Sequence, residues 1–329
     1  MTPPSLQFQV AAEDAGQRLD RYLAARLLEL SRTRVQELIA EGRVRIGGKP
    51  AKASHRVATG EAIEVEPLPR PVLAAAAEEI PLEILYEDED VVVVNKPAGM
   101  AVHAGAGTQH GTLVNALLHR YARLSGVGGV LRPGIVHRLD KLTSGAILVA
   151  LNDRAHRALA EQFRARTISK KYIALVHGSL TKDRGEIRLP IARDVRRRTR
   201  MTTRRREGRE ALTGWRVLWR LDGFTLVEAD LRTGRTHQIR VHFSALGHPV
   251  VGDTLYGAPL RPRAGEQILA PLGRNFLHAA RICFQQAGEN APVEVTAPLP
   301  EELRDFLHRL AKILGKDPDA IDASLREFL

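Results

Sequence analysis

Three stretches of the chain gather side chains that could do chemistry. "GIVHRLDKLTSGAILVA" (134–150) sets a single carboxylate, Asp140, among His137, Arg138 and Lys141, then runs through a Thr143-Ser144-Gly145 turn into an apolar segment. "ISKKYIALV" (168–176) isolates Tyr172 between basic and apolar neighbours. "GRTHQIRVH" (234–242) packs Arg235, His237, Gln238, Arg240 and His242 into an otherwise apolar context.

Several familiar chemistries fit these residues poorly. A metal site needs clustered ligands, and His237 and His242, five apart, diverge on a strand or a helix. A serine nucleophile at Ser144 would call for a G-x-S-x-G elbow, and the local pattern is T-S-G. Glycosidases use two carboxylates, and these stretches hold one. No Walker or dinucleotide glycine pattern opens a helix after a strand. What remains is one aspartate beside guanidinium groups. A nearby arginine favours the charged carboxylate and fixes its orientation. Arg138, two residues away, shares a face with Asp140 if the segment is extended. An ion pair that merely fixes a loop would leave the same pattern.

The elements that must position these residues are irregularly mixed. Val91–Val94 reads as a buried strand, followed by the loop "NKPAG". Strand "AILVALN", helix "DRAHRALAEQFRAR", strand "KKYIALVHG", a strand pair through "GWRVLWRLDGFTLVEADLRTG" and helix "RTHQIRVHFSALG" come after it. This interleaving predicts an α+β domain on a mixed sheet that starts near Ile80. Residues 311–329 are expected as a helical tail, continuing the amphipathic helix "EELRDFLHRLAKIL" as a surface or docking element. A smaller domain is expected over 14–67. There, a helical stripe in "GQRLDRYLAARLLEL" precedes helix "RTRVQELIAEG", with Ser31 as N-cap and Gly42 as stop. The hairpin "RVRIGGKPA" and the strand "GEAIEVEP" complete it. The Pro- and Ala-rich stretch 68–79 reads as a linker.

Charge narrows the partner. A net charge of +11 and a pI near 10.2 suit a polyanion, and nucleic acid is the usual one, because neutralised phosphates release counterions. Nine arginines fall in "RDVRRRTRMTTRRREGRE" (193–210), expected to be mobile alone and ordered on phosphates. No apolar run approaches a membrane span, and the N-terminus lacks a signal-peptide pattern. The lone Cys283 can form neither an internal disulfide nor a Cys-based zinc site, which reads as a core thiol in a cytoplasmic protein.

Two resemblances sharpen these expectations. Arg18-Leu19-Asp20, Ser31-Arg32, Ile39, Gly42, Val44, Ile46 and Gly48 follow the ordered pattern of the S4-type RNA-binding module, with Gly47 where Asn or Asp is usual. The resemblance implies RNA contacts from Arg18, Arg32, Arg34, Arg43, Arg45 and Lys49. The second domain resembles the RluA-type pseudouridine synthases, and this resemblance extends it over 80–310. H-R-L-D-x-x-T-S-G is complete at His137–Gly145, K-P-x-G-x-x-V-H at Lys96–His103, and G-R-T-H-Q-I-R-V-H at Gly234–His242; "GHPVVGDTLYG" (247–257) and "LHA" (277–279) come after them. Leu142 departs from the Asp carried by many members. With an S4 module ahead of it, the chain resembles the RluD-like members that modify large-subunit ribosomal RNA.

The resemblance implies roles residue by residue. Asp140 matches the essential aspartate, Arg240 the arginine that pairs with it, and Tyr172 the tyrosine that stacks on the target base. Arg138 matches the arginine that enters the RNA stack as the uridine leaves, and Leu277 a leucine lining the pocket. His137, Arg235 and His237 are expected at the substrate, and Arg197, Arg198, Arg204 and Arg205 on RNA. The implied reaction is a cofactor-free isomerisation of uridine, with ribosomal RNA as substrate, no membrane and no protein partner, carried out by a monomer. The rival expectations are the same chemistry on tRNA, and a non-catalytic S4-bearing factor that keeps the fold as a scaffold. Whether Asp140 attacks C1′ or abstracts a sugar proton stays open.

Overall fold

A computed structural model describes residues 5–27, 32–66, 75–105, 108–122, 124–127, 129, 131–197, 199–205, 207–286 and 291–329. The chain divides into two compact units, Met1–Leu73 and Ala74–Leu329.

In the first unit, strand β1 (Leu6–Gln9) precedes helices α1 (Leu19–Arg26) and α2 (Arg32–Ala40), then β2 (Val44–Ile46), β3 (Lys49–Pro50) and β4 (Ala62–Val65). The four strands form one sheet in the order β1-β4-β2-β3. The expected start at Asp14 is therefore too late, since β1 pairs along β4 from Leu6↔Val65 to Gln9↔Ala62. Leu19, Tyr22 and Leu23 of α1 meet Val35, Leu38 and Ile39 of α2 over Val44, Ile63 and Val65. Ser31, expected as the α2 cap, lies outside the described residues.

The second unit is built on a nine-stranded sheet. Its elements are β5 (Glu83–Glu87), β6 (Val91–Lys96), α3 (Leu113–Arg120), β7 (Ser144–Ala150), α4 (Asp153–Ala165), β8 (Ser169–His177) and β9 (Arg184–Arg188). After a short hairpin of β10 (Ala192–Arg193) and β11 (Met201–Thr202) come β12 (Leu212–Leu221), β13 (Phe224–Leu231), α5 (Gln238–Ala245) and the small hairpin β14 (Arg263–Ala264) and β15 (Gln267–Ile268). Then follow β16 (Leu277–Gln285), β17 (Pro292–Thr296), α6 (Glu301–Ile313) and α7 (Pro318–Ser324). The sheet order is β5-β6-β7-β16-β8-β13-β12-β9, with β17 also on β16. Helices and strands mix in an α+β arrangement, as the sequence pattern predicts.

Alternation explains why β6 and β7 are apolar throughout. Val92, Val94, Ile147 and Val149 face the large core, while Val91, Val93, Ala146 and Leu148 face a second core with Ala155 and Leu159 of α4. Of the two expectations for the C-terminal segment, a surface element or a docked one, the packing matches the docked one. Leu303, Phe306, Leu307 and Leu310 of α6, with Ile321, Leu325 and Phe328 beyond it, are buried in the large core. The part of the expected linker that is described is also anchored: Asn115 of α3 donates to Ala76 O (2.6 Å), and Glu78 accepts from Gly111 N (2.9 Å).

Among the described strands one pairing is parallel, β7 with β16, in register Ser144↔His278 and Gly145↔Ala279. Here the T-S-G turn meets the L-H-A segment. Gly145 has φ 112°, and a Cβ there would stand 2.2 Å from Ala279 O. Only glycine allows the strands this approach. Ser144 Oγ accepts from Arg274 Nη2 (2.9 Å), so its proton goes to His278 Nδ1 (2.9 Å), and His278 Nε2–H faces Ala297 O (3.2 Å). Burial foremost, then the nearby Arg274 charge, pushes this neutral ring down to about 4, against the help of the Ala297 carbonyl.

Gly145→Ala is expected to destabilise the protein by about 2–4 kcal/mol through backbone strain and the clash with β16, read by urea unfolding. His278 also makes stability pH-dependent. An unfolded histidine takes its proton near 6.5, and His278 holds off until about 4. Between these values the unfolded chain binds the extra proton, so stability falls as pH drops through the window, by up to about 1.4 kcal/mol per pH unit. His278→Gln should flatten that part of the stability profile relative to the wild type by about one proton.

Candidate active site

Asp140 lies in the loop leading into β7, and Arg240 on α5. The two meet across the sheet: Arg240 Nη1 donates to Asp140 Oδ2 at 2.9 Å. Arg240 has a second carboxylate, because its Nε and Nη2 donate to Asp253 Oδ2 (2.6 Å) and Oδ1 (2.9 Å). The arginine and Asp253 side chains are only 9% and 2% exposed. Burial opposes the guanidinium charge, but the hydrogen bonds and charges of Asp253 and Asp140 outweigh it and hold Arg240 above the ordinary arginine value. Gly252 brings Asp253 close, for a Cβ at this position (φ 78°) would overlap Arg274 O at 1.9 Å.

The loop carrying Asp140 is braced from beneath. Lys96, the lysine of the K-P-x-G segment, is fully buried at the end of β6. Its Nζ donates to Pro97 O (2.7 Å), Met100 O (3.0 Å) and Lys141 O (3.4 Å), and Gly99 N donates to Lys141 O (2.8 Å). Burial, with Arg274 adding to it and Asp140 opposing, pushes this lysine down to about 7. Gln238 performs the same service for the G-R-T-H-Q loop: its Oε1 accepts from Arg235 N (3.0 Å) and Thr233 Oγ1 (2.7 Å).

Asp140 opens into a cavity of about 600 Å³ lined by Tyr172, Leu277, His137, Arg138, Arg235 and His237 as well as Arg240. Tyr172 and Lys170, two apart on β8, share the face that lines it. Burial, and secondarily the Asp140 charge, pushes the Tyr172 hydroxyl well above its usual value, so the ring stays a neutral phenol. His137 Nε2 accepts from Leu148 N (2.9 Å) and the ring packs on Phe163 at 5.0 Å, which ties the cavity edge to β7. The partner of Asp140 is the distant Arg240 rather than the adjacent Arg138, which is exposed on the cavity wall. His242 points elsewhere, hydrogen-bonded to Thr213 Oγ1 and Leu189 O.

Known proteins resemble this chain in sequence and fold. A profile described as RNA pseudouridylate synthase matches residues 90–245, and one for the S4 domain matches 17–63. An uncharacterized RNA pseudouridine synthase of Bacillus subtilis is 42% identical over 93% of this chain and 98% of its own. Ribosomal large subunit pseudouridine synthase D of Xylella fastidiosa is 43% identical over 93% of this chain and 92% of its own. The chain belongs to the RNA pseudouridine synthase family. Among solved structures, human RNA pseudouridylate synthase domain containing 1 superposes with a TM-score of 0.55 at 31% identity, covering 76% of this chain and 96% of that one. This synthase is an isomerase that carries an S4 RNA-binding domain.

The basic residues expected to meet RNA are not equally free. In the S4 domain Arg18 (3.1 Å) and Arg32 (2.8 Å) both bind the buried Asp20, and Gln36 Nε2 adds a bond at 2.6 Å. Burial works against this carboxylate, and the three side-chain donors still draw it well below the usual range. Arg43 lies near Glu41 (3.5 Å) and Glu66 (3.6 Å), whereas Arg45 and Lys49 are exposed on the β2–β3 hairpin. The side chain of Arg34 and the whole of Arg198 lie outside the described residues. In the arginine-rich run, the described residues form the hairpin β10–β11, its turn held by Asp194 Oδ1 accepting from Arg196 N (2.8 Å) and Arg197 N (3.2 Å). Arg197, Arg204 and Arg205 are exposed there, with Arg205 paired to Glu207 at 3.0 Å.

The synthase motifs held three further residues whose work was not evident from spacing: Lys96, Asp253 and Tyr256. Each sits inside a recognised segment, but only the folded chain brings it to Asp140 or Arg240. Asp253→Ala leaves two donors of the buried Arg240 guanidinium unpaired, with Asp140 on the third, and is expected to cost about 3–5 kcal/mol of stability, measured by chemical denaturation. Asp253→Asn, which keeps an acceptor, should cost less.

Proposed function

We propose that Asp140 is the group that acts on the sugar of a flipped uridine, with Arg240 orienting it and Tyr172 stacking on the base. One observation carries this reading. The Asp140 carboxylate is fixed at 2.9 Å by a buried arginine at the wall of a cavity large enough for a nucleoside and edged with cations.

The reaction balances without a redox partner. The C1′–N1 bond breaks, the uracil turns, a C5–C1′ bond forms, and the C5 proton is lost while N1 gains one. Flipping the uridine out of its RNA costs about a few kcal/mol. Stacking on Tyr172 returns roughly 1–3 kcal/mol of it. Leu277 and the ring of Tyr172 form an apolar wall that holds the detached base and keeps water from the sugar. Arg138, exposed and lining the cavity, fills the gap left in the RNA in this reading. Arg235 is fixed by its bond to Glu210 O (3.0 Å) beside Arg209 and Arg166, a cationic rim for phosphates.

Large-subunit ribosomal RNA is the proposed substrate, supported by the name of the Xylella fastidiosa relative and by the S4 domain. Action as a monomer is part of the same proposal. Among the described residues no helix is long and apolar enough to cross a membrane. We place the activity in the cytoplasm with its ribosomal substrate.

The test is tritium release from C5-labelled uridine in large-subunit RNA transcripts. Wild type should release label and Asp140→Asn should lose at least about a thousandfold of the rate, the scale for removing a group on the reaction path. Equal release by both proteins would sink the role of Asp140. Release from tRNA transcripts alone would move the substrate.

A further inference from the structure

Asp140 has a second neighbour, a histidine held on its other ring nitrogen by a phenol. His237 Nε2 stands 3.9 Å from Asp140 Oδ1, and His237 Nδ1 lies 2.8 Å from the hydroxyl of Tyr256. That hydroxyl also accepts from the backbone N–H of Met201 at 2.9 Å. Met201 begins β11, so it belongs to the arginine-rich hairpin. We propose that Tyr256 is a positioning residue that ties this hairpin to the catalytic carboxylate by holding His237 as its Nε2–H tautomer, facing Asp140.

The argument is one of proton counting. A phenol has one proton, and Met201 N–H occupies an acceptor site of the oxygen, so the proton goes to His237 Nδ1. Nε2 then carries the ring proton and turns it toward Asp140 Oδ1. The opposite tautomer would direct a lone pair at the carboxylate and leave the phenol proton without this acceptor. Two environments reinforce the assignment. Burial, opposed by the Met201 bond and the Arg240 charge, pushes Tyr256 up to about 12, so the hydroxyl keeps its proton. His237 is drawn below its usual value, by burial first and by Arg240 and Arg138, against Asp140 and Asp253, so the ring is neutral and its tautomer matters.

The backbone is committed to this geometry. His237 has φ 56°, one of two non-glycine residues with positive φ among those described. Such strain persists only where surroundings enforce it. Tyr256 is fully buried with Ile191 and Ala211 from the hairpin's base and Val241 from α5, and the guanidinium carbons of Arg200 and Arg240 lie 5.2 Å and 5.1 Å from its ring centre. The arginine-rich hairpin thus reaches Asp140 through two hydrogen bonds and one imidazole. RNA on the hairpin and the proton facing Asp140 become one mechanical unit.

The proposal rests on the reading of Asp140 given above, so the experiment separates the two. Full-length protein labelled with [15N]histidine, with His237 assigned through His237→Gln, reports the tautomer directly by NMR. In the wild type Nδ1 should resonate as an acceptor and Nε2 as protonated. Tyr256→Phe keeps the ring and removes the hydroxyl; it should mix the tautomers and lower the single-turnover rate about 10- to 100-fold, with RNA affinity unchanged. Protonation on Nδ1 in the wild type overturns the proposal. So does a slower Tyr256→Phe enzyme with the wild-type tautomer, which would make the role merely structural, or an altered tautomer with an unchanged rate. An active Asp140→Asn enzyme would refute the reading of Asp140 while leaving the tautomer measurement standing.

Discussion

The guanidinium of Arg240 is the point on which the site hangs. Its five donors have a fixed fork geometry, and two carboxylates from separate parts of the chain take three of them. A buried ion cluster of this kind gives little net stability, since desolvation offsets most of the attraction. Its value is directional. Asp253 saturates one edge of the fork and fixes the plane, and the remaining nitrogen presents Asp140 to the cavity in a single orientation. The neighbouring devices serve that end. Lys96 clamps the loop on the carboxylate's far side, Gly252 admits Asp253 to its place, and Gln238 shapes the turn that starts α5.

The sheet explains how residues so far apart converge. Asp140 comes just before β7, Leu277 opens β16, and Tyr172 sits on β8, which neighbours β16 on its other side. These three strands are adjacent in the middle of the sheet, buried by α4 on one face and the large core on the other. Loop residues placed at the ends of central strands inherit the rigidity of those strands, which suits a group that must be held within a fraction of an ångström.

Much of this was legible in the residues. Alternation and apolar runs located β6, β7, β8, β12 and β13, and glycine at 42 marked the end of α2. The three chemical stretches do converge on one cavity. What escaped reading did so for physical reasons. Asp253 stood outside those stretches, and its partner is set by tertiary approach, not spacing. Arg138 is nearer to Asp140 in sequence than Arg240, yet the loop turns it outward. The amphipathic stripe of α6 shows that one face must be covered but not by what, so docking and a surface position both stayed open. In the arginine run charge dominates the composition, and the signal for its hairpin was Asp194, which caps the turn. Leu6, Phe8 and Val10 alternate as a strand should, but four residues at a terminus give little pattern to weigh.

The single parallel joint between β7 and β16 carries an implication for how the protein is made. Parallel neighbours cannot be closed by a tight turn, and here residues 151–276 intervene, including α4, α5 and the arginine-rich hairpin. On a chain synthesised from its N-terminus, β7 emerges early with an open edge and waits for β16. Such long-range closure is slow to nucleate. Leu277 is the last of the cavity-lining residues to emerge, so Asp140 faces a finished chamber only when most of the chain has left the tunnel. The first S4 unit, with its short-range sheet and helices, is complete long before. A newborn molecule is therefore able to hold RNA well ahead of being able to alter it.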